Sequence, residues 1–397
     1  MNTNCQVDEI LSRIDSLNGL YMFITLFTCV YEKLLQNIFS DSTRSHIQRI
    51  IEFGQLSVCA LQFMQGFLAH LSLNRREYKM QDFIKMFVAT YIRQQVPLVM
   101  TYILLSSTEY RFKYCSNQSL STHEFLQVPF MFGTGSQCGT LLHHTASYSF
   151  MNLLILFGHI SMSLASQITS NNVLIQFQKN QFNLKNINKV YLGTIIFMLS
   201  FQILIVGKNA IKTQENSVYI INTSLDGCSF YVGCLCASLL FGVNPINKII
   251  DIQVGFLTYK YIPRGITGSV CIYIALLIQF FVSRSLNATD AYYYLKYFMF
   301  KMVIQLTTFI IILLKLCERK SLQIKMFKKL SYVEQQYLLL AENIIALMQE
   351  SIGDIKIGPE NRIIVLLVGT GAFAIIFKVI EFIDYCTRDM QHLFVYQ

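Results

Sequence analysis

Long apolar runs separated by short polar connections dominate the sequence. A helix that crosses the hydrocarbon core of a bilayer needs about 20 mostly apolar residues. Nine runs approach or exceed that length: 17–38, 50–72, 84–107, 148–168, 190–207, 228–248, 264–283, 296–316 and 362–384. Runs of this length are typical of helices, which satisfy their own backbone hydrogen bonds in lipid. The sequence therefore predicts an all-α fold, a polytopic transmembrane helix bundle of about nine to eleven spans.

Composition supports a membrane class and argues against a soluble enzyme. Hydrophobic residues make up 53% of the 397 residues and charged residues 14%, with a mean hydropathy of +0.43. The net charge of +9 lies mostly between the apolar runs, where it would orient the chain in a bilayer. We therefore expect the lipid bilayer, and no nucleic acid, as its partner.

Motifs for catalysis or metal binding are not found in the sequence. It contains no Gly-rich phosphate loop, no GxSxG and no HExxH, and its eleven cysteines follow no metal-ligand spacing. We expect no enzymatic activity, no metal and no other cofactor.

Charge placement predicts the orientation. With the N-terminus in the cytoplasm, the inner connections carry more Lys and Arg than the outer ones, as the positive-inside rule requires. This gives a cytoplasmic segment 1–16, a transmembrane domain 17–384 with a cytoplasmic amphipathic segment 317–361, and a C-terminal tail 385–397. We expect a multi-pass protein of the plasma membrane.

The three glycosylation sequons agree with this orientation, because Asn117, Asn222 and Asn287 all fall on the outer side. Cys115 and Cys138 share one polar outer connection, where an oxidising compartment would allow a disulfide. Residues 332–350 leave two interpretations open. Their apolar stripe, broken by glutamates, suits a helix on the inner membrane surface or a further span with a polar face.

Ionisable and amide side chains inside the spans are the candidate functional residues, since such groups are costly in lipid unless they meet protein or water. Arg93 precedes Pro97 by one turn, which suits a water-lined cavity or a guanidinium that reaches the headgroups. His159 could relay protons or join two helices through a hydrogen bond. Gln202, Gln279 and Gln305 are typical of hydrogen bonds between helices, and Lys301 lies one turn before Gln305.

The last run, GPENRIIVLLVGTGAFAIIFKVIEF, combines a lipid-compatible length with two charges near its end. Lys378 and Glu381 are three residues apart, so we expect an ion pair on one helical face. Gly369 and Gly371 lie mid-helix without a preceding strand, and we interpret both as close-packing positions.

The same run resembles the penultimate helix of the otopetrin proton channels, in its basic start at Arg362, its Leu-rich course and its end at Glu381-Phe382. Two further stretches are similar to helices of that family in the same order: LAENIIALMQESIGDI, with Gln349, and PRGITGSVCIYIALLIQFFV. The resemblance spans residues 190–397. It implies a homodimer that conducts protons. Combined with the polar groups found inside the spans, it makes Glu381, His159, Gln349, Arg93, Gln202 and Gln305 the candidates for the proton path or its gating.

The chain departs from that family in several features. It has fewer clear spans than the family's twelve, no Trp, and neither the family's histidine in the fifth helix nor its acidic residue in the sixth. We therefore expect a divergent or C-terminally truncated member. The alternative function is a chemosensory receptor of the insect or nematode kind, for which the chain length and a cytoplasmic N-terminus are also suitable.

Overall fold

The structure, a computed structural model of the chain, is helical in the residues it describes apart from a turn at 332–333, and no strand occurs among them. This confirms the all-α fold. The described residues are 3–37, 57–71, parts of 84–100, 189–197, 199–200, 228–240, 273–279, 281, 293–317, 325–333, 340–341, 344 and 362–395.

We number eight helices among these residues in chain order. They are α1 (Thr3–Asn37), α2 (57–71), α3 (189–197), α4 (Cys228–Leu240), α5 (273–279), α6 (Tyr293–Cys317), α7 (Lys325–Ser331) and α8 (Arg362–Val395). The described residues between 84 and 100 are helical as well.

The helix ends differ from the predicted spans at both ends of the chain. α1 begins at Thr3, so most of the predicted cytoplasmic segment 1–16 continues the first apolar run as helix. α8 continues to Val395, so most of the predicted tail 385–397 is helical too. Residues 3–16, which precede the first apolar run, contain no Gly or Pro, and neither do residues 385–395, which follow the last one. A helix without such breakers can continue past the apolar run, because hydropathy indicates what a helix buries and does not indicate where it ends.

The chain forms two compact units. The first contains Met1–Tyr21, Leu56–Gln81 and Ile155–Ser331, and the second Met22–Gln55, Asp82–Leu154 and Tyr332–Gln397. The core of the first unit includes Tyr191 and Ile195 of α3 and four residues of α4, namely Cys228, Phe230, Tyr231 and Cys234.

Two glycines bring α2 and α4 into close contact in the first unit. A methyl group at Gly66 would overlap the carbonyl group of Phe230, and one at Gly233 would overlap that of Phe63. The Cys234 thiol donates to the Gly66 carbonyl oxygen at 3.2 Å. Small residues at such crossings are typical of helix pairs in membranes, where packing replaces the hydrophobic drive.

In the second unit, α8 packs an aromatic face against α1. The Phe373 ring lies 5.1 Å from the Phe23 ring and 5.8 Å from the Phe27 ring, both edge to face. Gly369 lies against the Tyr31 ring, where a methyl group would overlap it, which confirms its predicted close packing. Gly371 has no atom within 4 Å of that position among the described residues, so its close packing stays a prediction.

Large apolar side chains cover the exposed faces of several helices. On α8, Ile363, Leu367 and Phe382 are 74%, 62% and 67% exposed, although the buried face of the same helix is also apolar. On α6 the exposed stripe is Met299, Met302, Leu306 and Ile310, whereas Lys301, Thr307 and Thr308 are buried. Among the described residues, Ile363–Arg388 is the helix long and apolar enough to cross a membrane.

Candidate functional site

The interior of the first unit contains a set of hydrogen-bonded polar side chains on the inner face of α6. Its centre is Gln279 of α5, which is buried. The Gln279 amide nitrogen donates to the hydroxyls of Thr307 at 2.8 Å and Thr308 at 3.1 Å. The Tyr21 hydroxyl of α1 donates to the Gln279 carbonyl oxygen at 3.2 Å and lies 3.4 Å from the Thr308 hydroxyl. We call these four residues the Gln279 cluster.

Both threonines also bond to their own helix. Thr307 and Thr308 each donate to the Ile304 carbonyl oxygen, at 3.0 Å and 2.7 Å. Threonine in a helix can bond in this way to a carbonyl three or four residues earlier. Their hydroxyl protons are therefore held by backbone, which leaves the oxygens to accept from the Gln279 amide.

A second set lies on the same helix and joins α2, α4 and α6. The Gln305 amide donates to the Ser229 hydroxyl at 2.8 Å, and the Ser229 hydroxyl lies 3.2 Å from the Cys59 sulfur. The Cys59 thiol also points to the Lys301 carbonyl oxygen at 3.9 Å. Lys301 is 2% exposed, so a basic side chain is enclosed in this interior. We call Cys59, Ser229 and Gln305 the Ser229 cluster.

His70 of α2 contributes a third buried contact in the first unit. Its Nδ1 lies 2.9 Å from the Tyr191 hydroxyl of α3, with the two rings edge to face at 5.7 Å. A histidine and a tyrosine in this geometry can each serve as donor or acceptor, depending on the imidazole tautomer. The pair therefore links α2 to α3 through a group able to exchange a proton.

The second unit contains a buried ion cluster in the C-terminal half of α8. Asp384 is 5% exposed and accepts from the Arg93 guanidinium and, at 2.8 Å, from the Arg388 guanidinium. Both arginines also donate to the Tyr332 carbonyl oxygen. A buried carboxylate requires such partners, because an isolated charge in this position would cost several kcal/mol.

Lys378 and Glu381 form the predicted ion pair, with 2.7 Å between Nζ and Oε2. Lys378 is 70% exposed and Glu381 is 28% exposed, so this pair lies at the surface of the second unit. The sequence prediction for these two residues is confirmed.

The three predicted functional residues that the structure describes belong to three different sets of contacts. Gln305 belongs to the Ser229 cluster, Arg93 to the ion cluster and Glu381 to the surface pair. His159, Gln202 and Gln349 lie outside the described residues, as do Asn117, Asn222, Asn287, Cys115 and Cys138. Most of 332–350 also lies outside them.

The predicted hydrogen bonds of glutamine amides between helices are confirmed for the two glutamines that the structure describes. Gln279 and Gln305 both bond to side chains of other helices, as glue residues in membrane bundles do. Tyr21, Cys59 and Ser229 are partners that the sequence analysis did not single out. Tyrosine, cysteine and serine are common in apolar helices, so no signal in the sequence separates these three from the rest.

Among the residues that the structure describes, no group of three His, Cys, Asp or Glu is placed to hold a metal ion. The buried polar groups that the structure describes in the first unit are hydroxyls, amides, thiols, an imidazole and an ammonium. Hydroxyls and imidazole can donate and accept at the same atom or ring, which is what passing a proton along hydrogen bonds requires.

Comparison of the chain with protein-family models, with curated proteins and with solved structures finds no match.

Proposed function

We propose that this chain is a polytopic membrane protein whose bundle interior conducts protons, as the resemblance to the otopetrin channels implies. The observation that carries the membrane assignment is made on α6, which exposes the apolar Met299, Met302 and Leu306 while its buried face includes Lys301 and Thr308 beside Ile304 and Ile311. A soluble helix turns its polar side chains to solvent and its apolar face to the core.

The proton path that we propose runs through the buried hydroxyl groups of the first unit. Tyr21 and Thr308 connect α1 and α6 through Gln279, and Ser229 and Cys59 connect α4 and α2 through Gln305. These groups lie on one face of α6, where waters between them would complete a chain of donors and acceptors. Polar groups at membrane depth are costly, and conduction gives them a use.

Gln279→Leu is the most informative variant, because it removes the centre of the Gln279 cluster at a moderate cost in stability. Thr307 and Thr308 keep their bonds to Ile304, and Tyr21 keeps Thr308 as a neighbour. Gln279 makes four hydrogen bonds, and at about 0.6 kcal/mol each their loss costs roughly 2 kcal/mol, which burial of the leucine side chain partly offsets. The variant should therefore fold and reach the cell surface.

Whole-cell recording during an extracellular acid step tests the proposal. We expect an inward current that follows the proton gradient and falls at least tenfold in Gln279→Leu. The matched control is Thr194→Val on α3, whose exposed hydroxyl bonds to the Val190 carbonyl oxygen of its own helix at 2.9 Å. That variant should retain the current, with surface expression measured for both.

Glu381→Gln distinguishes a proton path through the buried groups of the first unit from one that passes Glu381. A current kept in Glu381→Gln and lost in Gln279→Leu supports the path through the first unit, whereas the reverse would move the path to Glu381. No acid-evoked current, together with signalling evoked by a ligand, would overturn the channel and favour the chemosensory receptor. The resemblance further implies a homodimer in the plasma membrane, which crosslinking of intact cells would detect as a species of twice the monomer mass.

A further inference from the structure

Helix α7 is a short basic helix that lies on α1 within the first unit. Its sequence is KMFKKLS, and Leu330 within it is fully buried. The Asn18 amide of α1 donates to the Ser331 hydroxyl at 3.2 Å and to the Ser331 carbonyl oxygen at 3.4 Å. Lys328 donates to the Ser12 hydroxyl at 3.5 Å. These contacts attach α7 to residues 12–19 of α1.

Gly19 permits the close approach of the two helices, because a methyl group there would overlap the carbonyl group of Phe327. α7 has seven residues. Isolated helices shorter than about 12–15 residues are marginal in water, so α7 depends on this contact to remain helical. Segments held in this way open locally at low cost, which exposes their backbone and side chains to other proteins.

Ser331 ends a sequence that suits a kinase once α7 opens. Lys328 and Lys329 precede its hydroxyl by three and two positions, and Leu330 and Tyr332 flank it. Kinases select substrates by charge pattern, and those with acidic clefts select basic residues at these positions. Lys328 and Lys329 are exposed, and the segment is expected in the cytoplasm, where ATP is present.

We propose that Ser331 is a phosphorylation site for a basic-directed serine/threonine kinase, and that its phosphorylation releases α7 from α1. In this step the Ser331 hydroxyl oxygen bonds to the γ-phosphorus of ATP. The bond between that phosphorus and the β,γ-bridging oxygen breaks, ADP leaves, and the hydroxyl proton passes to the catalytic carboxylate of the kinase.

The charge of the phosphoryl group and the lack of space beside Asn18 both favour the release of α7 from α1. The phosphoryl group brings a charge of about −1.5 to −2 to a hydroxyl held against Asn18, which is 3% exposed. The Asn18 amide nitrogen meets the Ser331 hydroxyl in an enclosed position, where a phosphoryl group would lose much of its hydration. Lys328 and Lys329, which are exposed, would attract the phosphoryl group toward solvent.

The release would also reach the interior of the first unit. Tyr21 follows Asn18 by three residues on α1 and bonds to Gln279. A shift of α1 when α7 leaves would therefore change the Gln279 cluster. This effect on conduction rests on the proposed function, but the phosphorylation and the release of α7 do not.

The test uses the purified full-length protein in lipid nanodiscs, Mg²⁺-ATP and the catalytic subunit of cAMP-dependent protein kinase. Mass spectrometry follows phosphate at Ser331, with Ser331→Ala as the control for the site and Ser321→Ala as the control for the other serine of the basic segment. We expect phosphate on Ser331 in the wild type and in Ser321→Ala, and none at this position in Ser331→Ala.

Two variants test whether attachment of α7 limits the reaction. Asn18→Ala removes the bond to Ser331 and should raise the rate about fivefold, equivalent to about 1 kcal/mol. Gly19→Ala should also raise it, and alanine favours the α1 helix itself, so misfolding of α1 does not explain the result. No phosphate on Ser331 in any of these proteins would overturn the site.

Equal rates in the wild type and both variants would overturn the attachment. Hydrogen exchange then examines the release itself, which we expect as faster exchange over 325–331 in the phosphorylated protein. Unchanged exchange there would overturn the release. These readouts do not involve current. A failure of proton conduction therefore leaves them unaffected, and a failure of phosphorylation or release leaves the proposed conduction unaffected.

Discussion

The crossing of α2 and α4 gives the most quantitative prediction, because two glycines on opposite helices face each other's backbone. A methyl carbon at Gly66 would lie 2.7 Å from the Phe230 carbonyl carbon and 3.0 Å from its Cα. A methyl carbon at Gly233 would lie 3.0 Å from the Phe63 carbonyl carbon and the Phe67 nitrogen. Since carbon atoms pack best at about 3.5–4.0 Å, either alanine must separate the helices by about 1 Å.

The expected cost follows from that separation. Overpacking of this size typically costs about 1–3 kcal/mol, here because backbone rather than a flexible side chain must move. Once one alanine has separated the helices, the second meets less resistance. The double variant Gly66→Ala/Gly233→Ala should therefore lose less stability than the sum of the single variants, by roughly 0.5–3 kcal/mol.

Unfolding in mixed detergent micelles measures these free energies, with Gly193→Ala on α3 as the matched control. Gly193 has no atom within 4 Å of its methyl position among the described residues, so alanine there should stabilise the helix by about 0.5–1 kcal/mol. Alkylation of Cys234, whose thiol bonds to Gly66, gives a local readout and should rise in Gly66→Ala. Equal stability of the three single variants, or purely additive losses in the double variant, would refute this crossing.

Two further comparisons test the second unit. Asp384→Asn should cost about 3 kcal/mol, since it removes the charge that the largely buried Arg93 pairs with at this position. Glu381→Gln should cost less than 1 kcal/mol because Lys378 is 70% exposed. Similar losses of stability in denaturation would contradict the assignment of one pair as buried and the other as exposed. Gly369→Ala should lower the melting temperature because the Tyr31 ring occupies the methyl position, while Gly371→Ala should leave it unchanged or raise it. A larger loss in Gly371→Ala than in Gly369→Ala would contradict the packing of the Gly369 face of α8 against α1.

The sequence predicts helices well but helix ends and partners poorly. Apolar runs located α6 and α8, because length and hydropathy report directly on what a helix can bury. They did not predict that α1 begins at Thr3, since the polar first residues are also good helix formers.

The candidate site was predicted in part. A glutamine in an apolar run is costly enough to be noticed, so Gln279 and Gln305 were identified as hydrogen-bonding residues. Their partners Tyr21 and Ser229 are 258 and 76 residues away along the chain. Such pairing depends on tertiary packing, and hydropathy contains no information about it. Asp384 was missed for another reason, because its i,i+4 partner Arg388 lies beyond the predicted end of the last span.

We propose that lipid surrounds the helix bundle and that its hydrogen-bonded polar groups lie inside. Photolabelling of the full-length protein in liposomes with a lipid-soluble carbene probe tests this most directly, with labelled positions mapped by mass spectrometry. We predict label on Leu366, Leu367 and Phe382 of α8 and on Met302 and Leu306 of α6, and little on the buried Ile376, Ile380, Ile304 and Ile311. Label from a water-soluble carbene probe on the first group, with none from the lipid-soluble probe, would contradict the claim.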